Sequence, residues 1–161
     1  MIKHLRIDNR LIHGQVAIMW LNSLGTEAII VTNDKVAADP LQKMALPLAA
    51  RGSKVLVFSI AEMIQYAKDN PNEQLFVIAK NPADALELLN SGVEIGDVNV
   101  GNAAPVAGTK YKMVTNSIAA TAEDAVVYRK IAELRGGVLR SRMTPFADEI
   151  DFLAALKSTG L

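Results

Sequence analysis

Apolar positions along this chain fall into short, β-branched runs, separated by stretches of about ten residues in which they recur at helical spacing. The first pattern predicts strands over residues 3–8, 27–33, 54–58, 74–80, 97–101, 110–115 and 137–143. The second predicts a helix over 13–24 closed by Gly25, one over 40–50 ended by Arg51 and Gly52, and one after Ser59, a residue suited to an N-cap. "NPADALELLNSG" is the best-punctuated helix, with Asn81 as cap, Pro82 at the first helical position and Gly92 beyond the end. A further helix opens at Thr121, carries Glu123 and Asp124 in its first turn and stops at Gly136 and Gly137, and "FADEIDFLAALKS" reads as a final amphipathic helix.

This alternation predicts a single α/β domain over residues 1–161, with a mostly parallel central sheet and helices on both faces. The rhythm breaks after residue 97. There "DVNVGNAAPVAGTKYKMVTNSIAAT" holds two strand-like runs separated by a loop with Pro105 and Gly108 and no helix, which predicts an antiparallel addition near one edge of the sheet.

Composition narrows the function classes. Lys plus Arg equal Asp plus Glu at 17 each, so no overall field draws the chain toward nucleic acid or an anionic membrane. Without cysteine there is neither a disulfide framework nor a thiolate nucleophile, and with only His4 and His13 the cluster a zinc site needs is missing. No metal or other cofactor is expected. The charged N-terminus lacks the apolar region of a secretory signal, and "VAIMWLNSLGTEAIIVTND" is interrupted by polar residues before it reaches spanning length, so a soluble, cytoplasmic protein is expected.

The chemistry concentrates in "RIDNRLIHGQV", Arg6 to Val16. In open α/β sheets, reacting groups collect where the carboxyl ends of strands meet the following helices. With the first strand ending at Asp8, His13 and Gly14 are expected to open the helix, whose unpaired N–H groups suit a phosphoryl group and disfavour imidazolium. Gly14 leaves room for a bulky group to approach. Arg10 presents a planar fork of donors to phosphoryl oxygens. His4, inside the strand, reads as a structural histidine. Neither an acidic cluster for magnesium nor a G-x-x-x-x-G-K-[ST] loop occurs, which argues against direct use of a nucleoside triphosphate.

The wording of this stretch, together with "IIVTNDKVAADPLQK", "VNVGN" and "RMTP", closely resembles the IIB component of the mannose/sorbose-type sugar phosphotransferase systems. The resemblance implies that His13 accepts a phosphoryl group from a phosphohistidine on a IIA protein and passes it to a sugar carried by membrane IIC and IID components. It implies that Arg10 and Arg142 assist, Arg142 in transfer to the sugar. Asp8 matches the acid of the motif, with a structural role through an Asx contact as the plainer account. A separate IIA chain as donor, recruitment from the cytoplasm to the membrane complex and a homodimer are further expectations. Asn33, Asp34 and the loop before Pro40 are candidates for the rim of the docking surface. The segment 101–110 and the apolar C-terminal end depart from the family pattern, leaving mannose, sorbose, fructose and an amino sugar open. A receiver-type domain would show paired acids after the first strand, an acid after the third and a lysine after the fifth. This chain has Asp8 with Asn9, Ser59, and Gly101 with Asn102 there. The alternative reading is a non-catalytic α/β sensing or regulatory interaction domain.

Overall fold

The computed structural model describes residues 1–161. Its strands are β1 (Ile2–Asp8), β2 (Ala28–Thr32), β3 (Lys54–Phe58), β4 (Leu75–Ala79), β5 (Ile95–Asn102), β6 (Tyr111–Thr115), β7 (Ile118–Thr121), β8 (Arg140–Ser141) and β9 (Ile150–Asp151). Its helices are α1 (Val16–Leu24), α2 (Asp34–Ala37), α3 (Pro40–Ala49), α4 (Ile60–Asp69), α5 (Pro82–Asn90), α6 (Ala122–Leu134) and α7 (Phe152–Ser158). Seven strands form one sheet in the order β3-β2-β4-β1-β5-β8-β9, parallel except for β9 at the edge.

Strand β4, "LFVIA", is buried at every position, as a central parallel strand covered on both faces must be. Trp20 and Leu21 of α1 and Leu46 of α3 pack with Ile29, Val31, Phe76 and Ile78 on one face. On the other, Met63, Leu88, Ile131 and Leu156 pack with Leu5, Ile7, Val77 and Val100. Right-handed crossovers require this split, since the chain moves toward one edge after β1 and back toward the other after β3. The connections leaving β1 and β4, which are neighbours, therefore depart on opposite faces. Their carboxyl ends frame the switch-point crevice where such sheets bind ligands.

Local chemistry accounts for the element ends. Ser59 and Glu62 form a reciprocal capping box, as do Thr121 and Asp124, and Asn81 caps α5. Three expectations are refined. The 137–143 strand contracts to Arg140–Ser141, because Gly136 and Gly137, at φ 71° and 84°, extend the turn after α6. The final helix begins only at Phe152; Ile150 and Asp151 pair with β8, and Asp151 then caps the helix by accepting from Ala154 N. The runs at 111–121 make a separate antiparallel pair, β6-β7, touching the main sheet through the Ala103–Ile118 bridge, while β9 supplies the antiparallel edge.

Candidate functional site

The loop after β1 is built around Asp8. Its carboxylate is 2% exposed and divides its two oxygens: Oδ2 accepts from Arg6 Nε (3.3 Å) and Nη2 (3.2 Å), while Oδ1 accepts from the backbone N of Arg10 (3.0 Å). That last bond is an Asx turn, which bends the chain directly after the strand. Arg10 Nε lies a further 3.5 Å from Oδ1, at the limit of a hydrogen bond. In the amide orientation that satisfies both of its ends, Asn102 accepts from Arg10 Nε at 2.9 Å and donates to Ser117 O at 3.1 Å. Asn9 exchanges two 2.9 Å bonds with the backbone of Ala104, tying the loop to the end of β5.

Beyond Arg10 the chain turns twice through left-handed backbone, at Leu11 (φ 61°) and Gly14 (φ 56°). The expectation that His13 opens the helix is corrected here. Helix α1 starts at Val16 with Gln15 at its cap and no side-chain capping bond, so His13 sits on an exposed turn ahead of the helix rather than on its first positions. The positive φ of Gly14 interrupts helical geometry and delays the start. Buried Leu11 and Ile12 anchor the turn in the core on the α1 side, leaving His13 as the residue that faces solvent. A Cβ on Gly14 would meet nothing within 4 Å, so glycine is required by the backbone angle, while the surrounding space is open.

Arg142 reaches the same edge of the sheet from the other end of the chain. Parallel pairing of Val100 with Ser141 and of Ile7 with Val100 sets it just beyond the level of Ile7. Asn99 clamps its backbone, accepting from Arg142 N (2.8 Å) and donating to Arg142 O (3.0 Å). Arg6 Nη1 donates to the same carbonyl at 3.0 Å, and Trp20 Nε1 donates to the next one, Met143 O, at 3.2 Å. The side chain of Arg142 donates to Glu149 Oε1 (3.3 Å). Replacing Asn99 by alanine is expected to remove both clamp bonds and lower stability by about 1–3 kcal/mol, the cost of unpaired buried polar groups, measurable as a reduced urea midpoint at unchanged slope.

Two details mark the arginines of this edge. Arg10 Nη2 and Arg142 Nε are buried yet have no hydrogen-bond partner. Buried guanidinium N–H groups are ordinarily paired, and both of these belong to cations at the carboxyl edge that carries His13.

The other histidine, His4, is buried, stacks on Trp20 at 4.3 Å and places Nδ1 2.8 Å from Asp97 Oδ2, holding that carboxyl below its usual range through the hydrogen bond. Its role is structural. Asn33 and Asp34 lie at the same sheet edge but are engaged within the fold: Asn33 caps α2 and donates to Asp84, and Asp34 accepts from Ile60 N. Sequence reasoning gave no role to Arg6, Trp20, Asn99 and Asn102. The available signal for Arg6 was its place two residues from Asp8 in one strand, on the same face, where a buried charge must be paired.

Two hollows flank the loop. One, of about 280 Å³, is lined by Arg10, Leu11, Ile12, Gln42, Ala45 and Leu46. Beside it α3 exposes Leu41 (78%), Met44 (71%) and Leu48 (80%) at i, i+3 and i+7, an apolar stripe facing solvent. The other, of about 550 Å³, lies over Ile7 and Asn9 on the opposite face, between Lys80 and the β6-β7 pair.

A parallel α/β sheet with an exposed histidine and two part-buried arginines at its carboxyl edge places the chain among small open-sheet α/β proteins that gather their polar residues on that edge. Comparison with known families makes the assignment narrower: residues 2–160 match the PTS system sorbose subfamily IIB component, and the chain belongs to that family. It is 31% identical over 157 residues to the PTS system sorbose-specific EIIB component of Klebsiella pneumoniae, covering 96% of this chain and 94% of that protein. It is 36% identical over 100 residues to the N-acetylgalactosamine-specific phosphotransferase enzyme IIB component 1 of Escherichia coli K12, covering 60% of this chain and 63% of that protein. With the PTS system mannose-specific EIIAB component of the same organism it shares 37% over 130 residues, 78% of this chain and 39% of that longer protein. The crystal structure of the IIBSor domain of the Klebsiella sorbose permease superposes with a TM-score of 0.88 at 30% identity, covering 99% of this chain and 98% of that one. No helix of this chain is long and apolar enough to cross a membrane.

Proposed function

We propose that this chain is a phosphocarrier of a sugar phosphotransferase system, with His13 as the phosphorylated residue. The observation that carries the proposal is an exposed histidine at the same carboxyl edge of the sheet as two part-exposed arginines, Arg10 and Arg142. A neutral imidazole nitrogen of His13 attacks the phosphorus of a phosphohistidine on a IIA protein. One N–P bond forms as the other breaks, and the donor imidazole leaves neutral. In the second step a sugar hydroxyl oxygen attacks, the His13 N–P bond breaks, and the hydroxyl proton is released. A phosphoramidate suits this relay because phosphoryl transfer is mainly positioning and charge stabilisation, which Arg10 and Arg142 supply to the phosphoryl oxygens. Asp8 holds the turn and Gly14 gives it its shape.

The donor is a IIA protein and the acceptor a sugar delivered by IIC and IID components at the cytoplasmic face of the membrane. The EIIAB name of the mannose relative supports a IIA partner. The relatives are named for N-acetylgalactosamine, mannose and sorbose, so the substrate class is a hexose or amino sugar. Incubation with a phosphorylated IIA donor is expected to give an acid-labile, base-stable phosphate that mass spectrometry places on His13. No labelling with any competent donor rejects the proposal.

The apolar stripe on α3 supports docking of a protein beside the phosphoryl site, since its neighbouring hollow is shared with Arg10, Leu11 and Ile12. Met44→Glu is expected to raise the donor concentration needed for half-maximal transfer about tenfold while leaving the maximal rate unchanged. A lowered maximal rate at constant half-saturation would remove the stripe from the docking surface.

A further inference from the structure

Arg6 heads the large side chains that are fully buried, at 1% exposure, and sits in β1 between the buried polar residues His4 and Asp8. The fold makes room for it: a Cβ on Gly101 would lie 2.1 Å from Arg6 Cζ, so any larger residue there has to displace the guanidinium. The guanidinium lies 5.8 Å from the Trp20 ring centroid and holds the Asp8 carboxylate on one side and the Arg142 carbonyl on the other. It is therefore the group that touches both segments bearing the site arginines.

We infer that Arg6 is a positioning residue of the relay: it satisfies the Asp8 charge so that the Arg10 guanidinium is not drawn onto it, and it fixes the backbone from which Arg142 extends. This rests on the reading of His13 given above. Arg6, Asp8 and Arg10 together carry one surplus positive charge, and the surplus sits on Arg10, whose side chain is 27% exposed against 1% for Arg6. Arg6 takes Asp8 Oδ2 with two N–H groups, whereas Arg10 meets Oδ1 with its backbone and only a 3.5 Å side-chain contact. Without Arg6 a buried carboxylate would face Arg10 alone, and in that weakly screened setting it would draw the guanidinium in. Burial lowers the Arg6 pKa, opposed by Asp8, and the Arg10 charge lowers it further, as expected for two cations sharing one anion.

The test measures both half-reactions, acceptance from phosphorylated IIA and delivery to sugar with IIC- and IID-containing membranes, for folded variants checked by circular dichroism and urea midpoint. Arg6→Met is expected to slow delivery about tenfold to a hundredfold and acceptance by less than tenfold, the pattern of an Arg10 replacement. Adding Asp8→Asn keeps an oxygen for the Asx turn, removes the charge that captures Arg10, and is expected to restore most of the delivery rate. A role confined to packing predicts no such recovery. Gly101→Ala displaces the guanidinium with every charge retained, and is expected to reproduce the delivery defect even where Arg6→Met fails to fold. If His13 is labelled in the wild type but neither Arg6→Met nor Gly101→Ala alters delivery, or if the double variant is no faster than Arg6→Met, the inference alone is overturned. If the wild type takes no phosphate, the phosphocarrier reading is overturned and the inference with it.

Discussion

His13→Ala is expected to reduce phosphoryl acceptance from a IIA donor to background while shifting stability by no more than about 0.5 kcal/mol, as for an exposed residue away from core and caps. The two halves of this expectation have one cause. The turn that presents His13 is held from beneath by Asp8, Leu11 and Ile12, all buried, and the histidine ring has no part in that anchoring. On the proposed mechanism, loss of the nucleophile removes the N–P bond itself, and the other histidine cannot replace it, because His4 is buried against Trp20 and Asp97. The checks are acid-labile phosphate incorporation and thermal or urea unfolding on the same preparation. Residual labelling in the variant would move the phosphorylation to another residue.

The contrast between the two histidines shows which parts of the molecule were legible in the sequence. Parallel strands covered on both faces write themselves as continuous apolar runs, and caps such as Ser59, Asn81 and Thr121 lie beside the helices they start, so both could be read locally. The strand edge bearing His13 followed from the same reading, and the family from its motif. Tertiary pairing was not legible. That Arg6 holds the carbonyl of Arg142, that Asn99 clamps Arg142, and that Gly101 is an opening for a guanidinium depend on β5 lying between β1 and β8, an order that no local pattern encodes. Local signals also misplaced the start of α1. "IHGQVAIMW" has helical spacing throughout, but the left-handed angle at Gly14 holds His13 outside the helix. With His13 outside the helix, the proposed stabilisation of a phosphoryl group rests on the arginines rather than on helix N–H groups.

The arginines therefore carry the second large expectation. Arg10→Met and Arg142→Met are each expected to slow delivery to sugar about a hundredfold to a thousandfold, the range for losing one preorganised donor to a charged transition state, and acceptance by about tenfold or less. The asymmetry follows from the bonds exchanged. On the proposed mechanism, acceptance replaces one N–P bond by another between chemically equivalent imidazoles. In the proposed delivery step the nucleophile is a sugar hydroxyl, a poor one that must lose its proton, so fixed positive charge counts for more there. Arg142 begins from a clamped backbone, and its contact with Glu149 lies at a part-exposed surface, where such a bond is weak and readily exchanged for a phosphoryl oxygen. Single-turnover acceptance and a sugar chase of the phosphorylated chain, measured on the same variants, separate the two steps. Equal losses in both would show that the arginines serve the phosphoryl group alike in each transfer, and would assign the discrimination between steps to the partner proteins.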